Sequence, residues 1–242
     1  MEKFNNGSPL AVCDICGKII PGVKSQGFDL CSDCQKEPTV VDNFDAVEGI
    51  MEFTTPNTFY WVQVIKRRKD NPGMHGNNIC YGSFCFYNYE SLLRAKSELI
   101  KLSRTYNARV MFWINPRNIQ ELALPMMQLG LEYIKSKHYK SINRLFDHAC
   151  GKYAQKGKNK LHIIDVDTRD PEVVNKICSC LTSAGERNPD FEIKKVLNTL
   201  HGFHILCNGF NPDLFKQLCV IEKVDPVDIH EDNPTVLYFN PQ

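Results

Sequence analysis

Apolar residues run through this chain in two rhythms, and the rhythms delimit its elements. Thr58 to Lys66 is an aromatic and β-branched run that predicts a strand. Asp70-Asn-Pro-Gly-Met-His-Gly-Asn-Asn is dense in turn formers, and Ile79 to Phe86 predicts a second strand, so the pair reads as a hairpin with a long loop. Asn88 is placed to cap a helix. Leu92, Leu93, Ala95, Lys96, Leu99, Ile100 and Leu102 then keep helical spacing to about Tyr106. Ala108 to Ile114 is an apolar strand cut by Pro116. Residues 119 to 150 read as helical with breaks near Pro125 and Gly130, and Lys152 to Lys160 as a Gly/Lys loop. Leu161-His-Ile-Ile is a buried strand, and Pro171 opens a helix to about Ala184. Strands follow near 191–197, 203–207, 226–230 and 235–239, with a helix from Pro212 to Leu218 among them. This alternation, with hairpin-like strands late in the chain, predicts an α/β or α+β sheet with helices on its faces.

Composition adds bounds. The chain has 242 residues, 43% of them hydrophobic, enough for one good core or a core with a small module. The net charge of +1 does not announce nucleic acid, so any such surface has to be a local patch. No apolar run reaches the length of a membrane span, and the polar start Met-Glu-Lys-Phe-Asn-Asn-Gly lacks a signal peptide's apolar stretch. The expectation is a soluble, cytoplasmic protein with no membrane partner. Its eleven cysteines are an odd count, better explained by metal ligation and buried thiols than by disulfides.

Four of them form two pairs. Cys13-x2-Cys16 and Cys31-x2-Cys34 are separated by fourteen residues. Each pair suits a short knuckle, and two knuckles complete a tetrahedron of thiolates for a structural zinc ion. Gly17 and Pro21-Gly22 supply turn chemistry. So short a segment buries little core, so the metal would supply its folding energy. The expected organisation is a zinc module over residues 1–38, a polar linker over 39–50 and a main domain over 51–242.

The main domain carries a second constellation. Asp165 and Asp167 end the apolar run Leu161-His-Ile-Ile. Residues i and i+2 of a strand share a side, so two carboxylates would stand together, and a divalent cation relieves their repulsion. Downstream, Thr199-Leu-His-Gly202-Phe-His204-Ile-Leu re-enters an apolar strand. Gly202 permits close backbone approach, and Thr199 and His204 are both able to donate hydrogen bonds to an anion. Asp165 and Asp167 fit a strand-end cap as well, and His204 a hydrogen-bonded core residue.

The order of these pieces resembles the archaeo-eukaryotic primase superfamily, which includes the primase-polymerases. That family has a hydrophobic-Asp-x-Asp strand and then a Ser/Thr-x-x-Gly-x-His turn entering a strand. The run from Ala108 through Ile114 to Asn115, Pro116 and Arg117 resembles its early strand ending in Asn-Pro-Arg. The resemblance implies a primase-polymerase-like catalytic core containing an RRM-like unit. It implies a template-dependent nucleotidyltransferase of DNA replication, taking nucleoside triphosphates, a nucleic-acid template and catalytic magnesium or manganese. Asp165 and Asp167 would be the shared metal ligands. A third carboxylate is expected from Glu222, Asp225 or Asp228, and Asp228 is preferred because Val227-Asp228-Ile229 reads as a strand facing its partner through the turn Glu231-Asp-Asn-Pro234. Asn115, Arg117, Thr199, Gly202 and His204 would shape the triphosphate site, and His201 carries less weight. The small size fits a stand-alone enzyme or a component of a phage or mobile-element replication system, with a replication helicase as a partner.

Lys66-Arg67-Arg68-Lys69 is the strongest basic run, beside Tyr60 and Trp61, and Lys152, Lys156, Lys158 and Lys160 form a second. Either fits a solvated face, and the first also fits a phosphate backbone. No Gly-x-x-x-x-Gly-Lys-Ser/Thr loop, Gly-x-Ser-x-Gly turn or His-Glu-x-x-His helix is present. Two other functions remain compatible: a non-catalytic zinc-containing nucleic-acid-binding protein with a degenerate primase fold, and a metal-dependent nuclease or phosphoesterase.

Overall fold

The computed structural model describes residues 4–5, 8–23, 28–153 and 160–242, with side chains left undescribed for 4–5, 8–10 and 21–23. Lys156 and Lys158 of the second basic run lie outside the described residues. The described elements are, in order, β1 (Phe4–Asn5), β2 (Ser8–Val12), β3 (Ile19–Val23), β4 (Val41–Asp42), β5 (Thr58–Lys66), β6 (Ile79–Phe86), α1 (Tyr89–Tyr106), β7 (Arg109–Trp113), β8 (Arg117–Asn118), α2 (Ile119–Lys135), α3 (Leu145–Lys152), β9 (His162–Val166), α4 (Pro171–Gly185), β10 (Ile193–Asn198), β11 (Phe203–Cys207), α5 (Pro212–Ile221), β12 (Asp228–His230) and β13 (Pro234–Phe239). The protein is a mixed α+β structure with antiparallel sheets, and no helix among the described residues is long and apolar enough to cross a membrane. The chain divides into two compact units, Met1–Val41 with Leu161–Glu231, and Asp42–Lys160 with Asp232–Gln242.

In the first unit β9, α4, β10, β11, α5 and β12 follow one another, and the sheet order is β10-β11-β9-β12, antiparallel throughout. This is the β-α-β-β-α-β connectivity of a split βαβ unit. Ile164, Val166, Phe203, Ile205 and Cys207 line one sheet face and form a single core with Val174, Ile177 and Leu181 of α4 and Phe215 and Cys219 of α5. Alternation along each strand then sends Asp165 and His204 to the opposite face. Both helices start the same way. Asp170 and Asn211 accept backbone N–H bonds of the first turn, and Pro171 and Pro212 follow them.

The N-terminal segment joins this core. β1, β2 and β3 form a three-stranded sheet, and Cys13, Leu30 and Cys31 pack into the cluster built by α4 and the four-stranded sheet. Asn175 of α4 donates to the Phe28 carbonyl (3.2 Å), and the Phe28 ring meets Phe203 edge-on at 5.8 Å. Pro21 and Gly22, read above as turn residues, lie inside β3. The pairing shifts there, from Ala11–Ile20 to Leu10–Val23, so the two residues are taken up as an irregularity.

In the second unit the sheet runs β13-β7-β5-β6, and β8 pairs with β5. β5 is buried on both faces from Thr58 to Val64, which explains an apolar run broken only by Gln63. α1 packs on β13, β7, β5 and β6 through Leu92 and Leu99. Phe59 and Trp61 cluster with Leu122 of α2 and Cys150 of α3.

Three sequence expectations differ from this architecture. α2 continues through Pro125 and Gly130. Leu122 and Leu129 bury one face of the helix, and a Cβ on Gly130 would come within 3.3 Å of Leu145, so packing overrides both helix breakers. Segment 39–50 reads as polar linker, yet Phe44, Val47 and Ile50 are buried, and Asn43 bonds the Leu237 and Val236 carbonyls. Finally, β12 and β13 do not face each other through the Glu231–Pro234 turn. β12 pairs with β9, whereas β13 pairs with β7. Asp232, between the two strands, forms an ion pair with the buried Arg117.

Candidate metal and nucleotide sites

The four paired cysteines converge. The Sγ atoms of Cys13, Cys16, Cys31 and Cys34 all lie within 4.8 Å of one another. Cys16 and Cys31 Sγ are 3.7 Å apart. A tetrahedral zinc with Zn–S bonds of about 2.3 Å has sulfur–sulfur edges of about 3.8 Å, so the donor set fits the ion. Gly17 turns the first knuckle at φ +70°, a conformation that favours glycine. The Asp14 N–H donates to the Asp29 carbonyl at 2.9 Å, which ties the segments carrying the two knuckles. Burial pushes the Cys31 thiol up, but the Cys34 N–H and the adjacent thiols outweigh it and bring it down to about 7. Burial and the same crowding push Cys16 and Cys34 up. Four thiolates at this spacing therefore need a cation to ionise together, and the site can hold a metal ion such as zinc.

The remaining cysteines are of another kind. Burial pushes Cys85, Cys150, Cys178, Cys207 and Cys219 up to about 12, which disfavours the thiolate.

Asp165 occupies the centre of the first unit's sheet. His204 on β11 stands opposite it on one side, and Asp228 on β12 stands opposite it on the other. Directly opposed residues share a face, so these three side chains project together. His204 Nε2 lies 3.3 Å from one Asp165 oxygen, and His230 Nε2 lies 4.0 Å from the other. Asp167 follows the end of β9 and is exposed. Asp165 is about one-third exposed at its side chain, at 30%, so the cluster is reachable from solvent. Among the described residues, the cysteines are the one group of three or more possible ligands drawn within 4.8 Å. The acidic residues are thus an open arrangement on a sheet face.

The Thr199–Gly202 turn holds His204 in place. Thr199 and Gly202 close it reciprocally, the Thr199 N–H donating to the Gly202 carbonyl and the Gly202 N–H to the Thr199 hydroxyl, each at 3.0 Å. A Cβ at Gly202 would stand 1.8 Å from the Val166 carbonyl oxygen. Only glycine lets this turn lie against the end of the strand carrying Asp165. His201 points away from the cluster to Glu37 at 2.9 Å.

Arg169 completes the turn, and the sequence gives no signal for it. Its guanidinium donates to the carbonyls of Thr199 (2.7 Å), Gly202 (3.1 Å) and Cys34 (2.9 Å) and lies 4.6 Å above the Phe203 ring. One buried cation thus links a cysteine knuckle to the turn before His204. His230 was legible, since it stands two residues after Asp228 and shares its face.

Asn115 and Arg117 belong to the second unit. Arg117 is fully buried. It donates to Asp232 (2.8 Å), the Cys150 carbonyl (2.8 Å) and the Asn115 carbonyl (2.7 Å), and it lies 5.3 Å above the Trp113 ring. Asn115 is also buried and donates to Asp232 at 3.4 Å. The basic run lies in the same unit. Arg67, Arg68 and Lys69 line an open depression of about 550 Å³ with Pro72 and Asn78. That loop is braced by the bidentate Asp70–Arg109 pair, both bonds 2.6 Å, and by Asn71 and Asn107, whose side chains bond at 3.1 Å.

Comparisons of the chain with protein-family models, with curated proteins and with solved structures return no match.

Proposed function

We infer that the protein is a primase-polymerase-type nucleotidyltransferase, in which the Asp165 cluster binds a nucleoside triphosphate with magnesium or manganese. The observation that carries this reading is the register placing Asp165 between His204 and Asp228 on adjacent strands. Divalent ions, when bound, would neutralise phosphate charge and stabilise the attacking and leaving oxygens. Asp165, Asp167 and Asp228 would offer the carboxylate oxygens that such hard ions take. His204 would donate to a phosphate oxygen. Thr199 accepts from Gly202 through its oxygen, so its own hydroxyl proton remains to be donated. The zinc module would brace this unit through the core it shares with α4, and the basic loop at Lys66–Lys69 would hold template phosphates.

The test is nucleotide incorporation on a single-stranded template with magnesium or manganese, with and without primer. The expected result is template-dependent product that Asp165→Asn abolishes. No product under any of these conditions, from protein that still holds zinc, overturns the reading. A second reading, a non-catalytic zinc-containing nucleic-acid-binding protein, is favoured by one observation. Arg117 is committed to Asp232, which leaves its fork unavailable to a triphosphate. Template binding without incorporation would support it.

A further inference from the structure

α2 has two apolar faces, and the fold uses one. Leu122 and Leu129 are 2% and 4% exposed and pack inward. On the opposite side Leu124, Met127, Leu131 and Ile134 are 63%, 65%, 56% and 52% exposed. Their spacing of three, four and three residues is the a/d seam of a coiled coil, which a monomer does not need. Tyr139 and Ile142, just past the helix, are also exposed. Among the described residues, other elements expose large apolar side chains singly or in pairs, so the concentration belongs to α2.

We propose that this stripe is a self-association surface, on which α2 pairs antiparallel with α2 of a second copy across a two-fold axis. Charge selects the occupant and the direction. In the heptad that the stripe defines, Glu121, Gln128 and Lys135 fall in one flanking row, and Ala123 and Gly130 in the other. Antiparallel pairing sets Leu124 against the partner's Ile134 and Met127 against the partner's Leu131. It brings Glu121 to the partner's Lys135 twice, and Gln128 to its own copy at the axis. Parallel pairing sets the charged row against Ala123 and Gly130 and forms no ion pair. The helix is therefore complementary to itself reversed, as an isologous interface requires.

Area sets the strength. The four large side chains of the stripe, each more than half exposed, form an apolar patch of the kind that marks an interaction site. Two such patches face to face make a small interface, at the weak end of the specific range. The dimer is therefore weak and reversible. This inference does not depend on the nucleotide chemistry.

Sedimentation equilibrium of the full chain from about 2 to about 200 μM tests it. Wild type should move from monomer to dimer over this range. Leu131→Asp, at an exposed position, should stay monomeric with unchanged circular dichroism and zinc content. Met127→Lys should do the same and guards against a local defect of either variant. Glu121→Lys should weaken the dimer about tenfold by opposing two lysines twice, and Glu121→Lys with Lys135→Glu in one chain should recover it. A wild type that is monomeric throughout overturns the proposal, as does a dimer indifferent to both apolar-site variants. A charge-swapped double variant no tighter than Glu121→Lys overturns the antiparallel register.

Discussion

Gly202 lies so close to Val166 that a Cβ on it would stand 1.8 Å from the Val166 carbonyl oxygen. The contact joins the turn that presents His204 to the strand that presents Asp165. Backbone cannot yield as a flexible side chain would, so Gly202→Ala must displace the turn or the strand end. The expected cost is about 1–3 kcal/mol of stability, the usual range for overpacking. Denaturant unfolding reads it, and a variant as stable as wild type would show that the approach is looser than the geometry requires.

Metal removal tests the cysteine cluster. Purified protein should hold about one zinc per chain, because four thiolates close a tetrahedral shell. Cys13, Leu30 and Cys31 sit in the same core as Val174, Ile177 and Phe203, so the loss should reach beyond the N-terminal segment. A strong chelator, or Cys13→Ser, should lower the melting temperature and expose amides of α4 and β11 to hydrogen exchange. Full stability and unchanged exchange after complete zinc removal would rule out a structural ion.

The candidate sites were legible where local pattern carries the constraint. Asp165 and His204 interrupt apolar runs, and strand alternation then decides their face. Gly202 was legible for the same reason, since the turn between two apolar strands leaves little room. Arg169 was not, because its partners lie at Cys34, Asn198, Thr199 and Gly202, and nothing around it in the sequence marks burial. The pairing of β12 with β9 and of β13 with β7 was not legible either, since neither partner lies near the Glu231–Pro234 turn in sequence. The burial of Phe44, Val47 and Ile50 is not legible in the sequence, because three-residue spacing among polar neighbours matches neither the strand nor the α-helix period. α2 misled in the other direction, since Pro125 and Gly130 break helices only where packing does not hold them.

Asp232 should matter to stability far more than its partly exposed position implies. Its partner Arg117 is wholly buried, and Asp232→Ala would leave that guanidinium with carbonyl acceptors alone. Breaking a buried pair by removing one partner costs about 3–5 kcal/mol. Asp232→Asn keeps a hydrogen-bonding oxygen and should cost less. Equal, small losses for both variants would assign the pair to the surface class.

The third carboxylate is the sharpest test of the proposed chemistry. Three acidic residues follow α5 closely: Glu222, Asp225 and Asp228. Glu222 caps the C-terminus of the helix, and its N–H is bonded to the Leu218 carbonyl. Asp225 lies in the segment before β12. Only Asp228 has a defined register against Asp165, directly across from it and on the same face. In the proposed chemistry, an ion held by Asp165 would find its next carboxylate at 228. Removing a carboxylate ligand forfeits several kcal/mol of charge stabilisation, which corresponds to about a thousandfold in rate. Asp228→Asn should thus reduce nucleotide incorporation about as severely as Asp165→Asn, with circular dichroism and zinc content unchanged because the side chain is exposed. Asp225→Asn and Glu222→Gln should stay within about threefold of wild type, as ordinary surface changes do. If Asp228→Asn retained full activity while Asp225→Asn lost it, the sheet register would not define the site, and the reading built on it would fall.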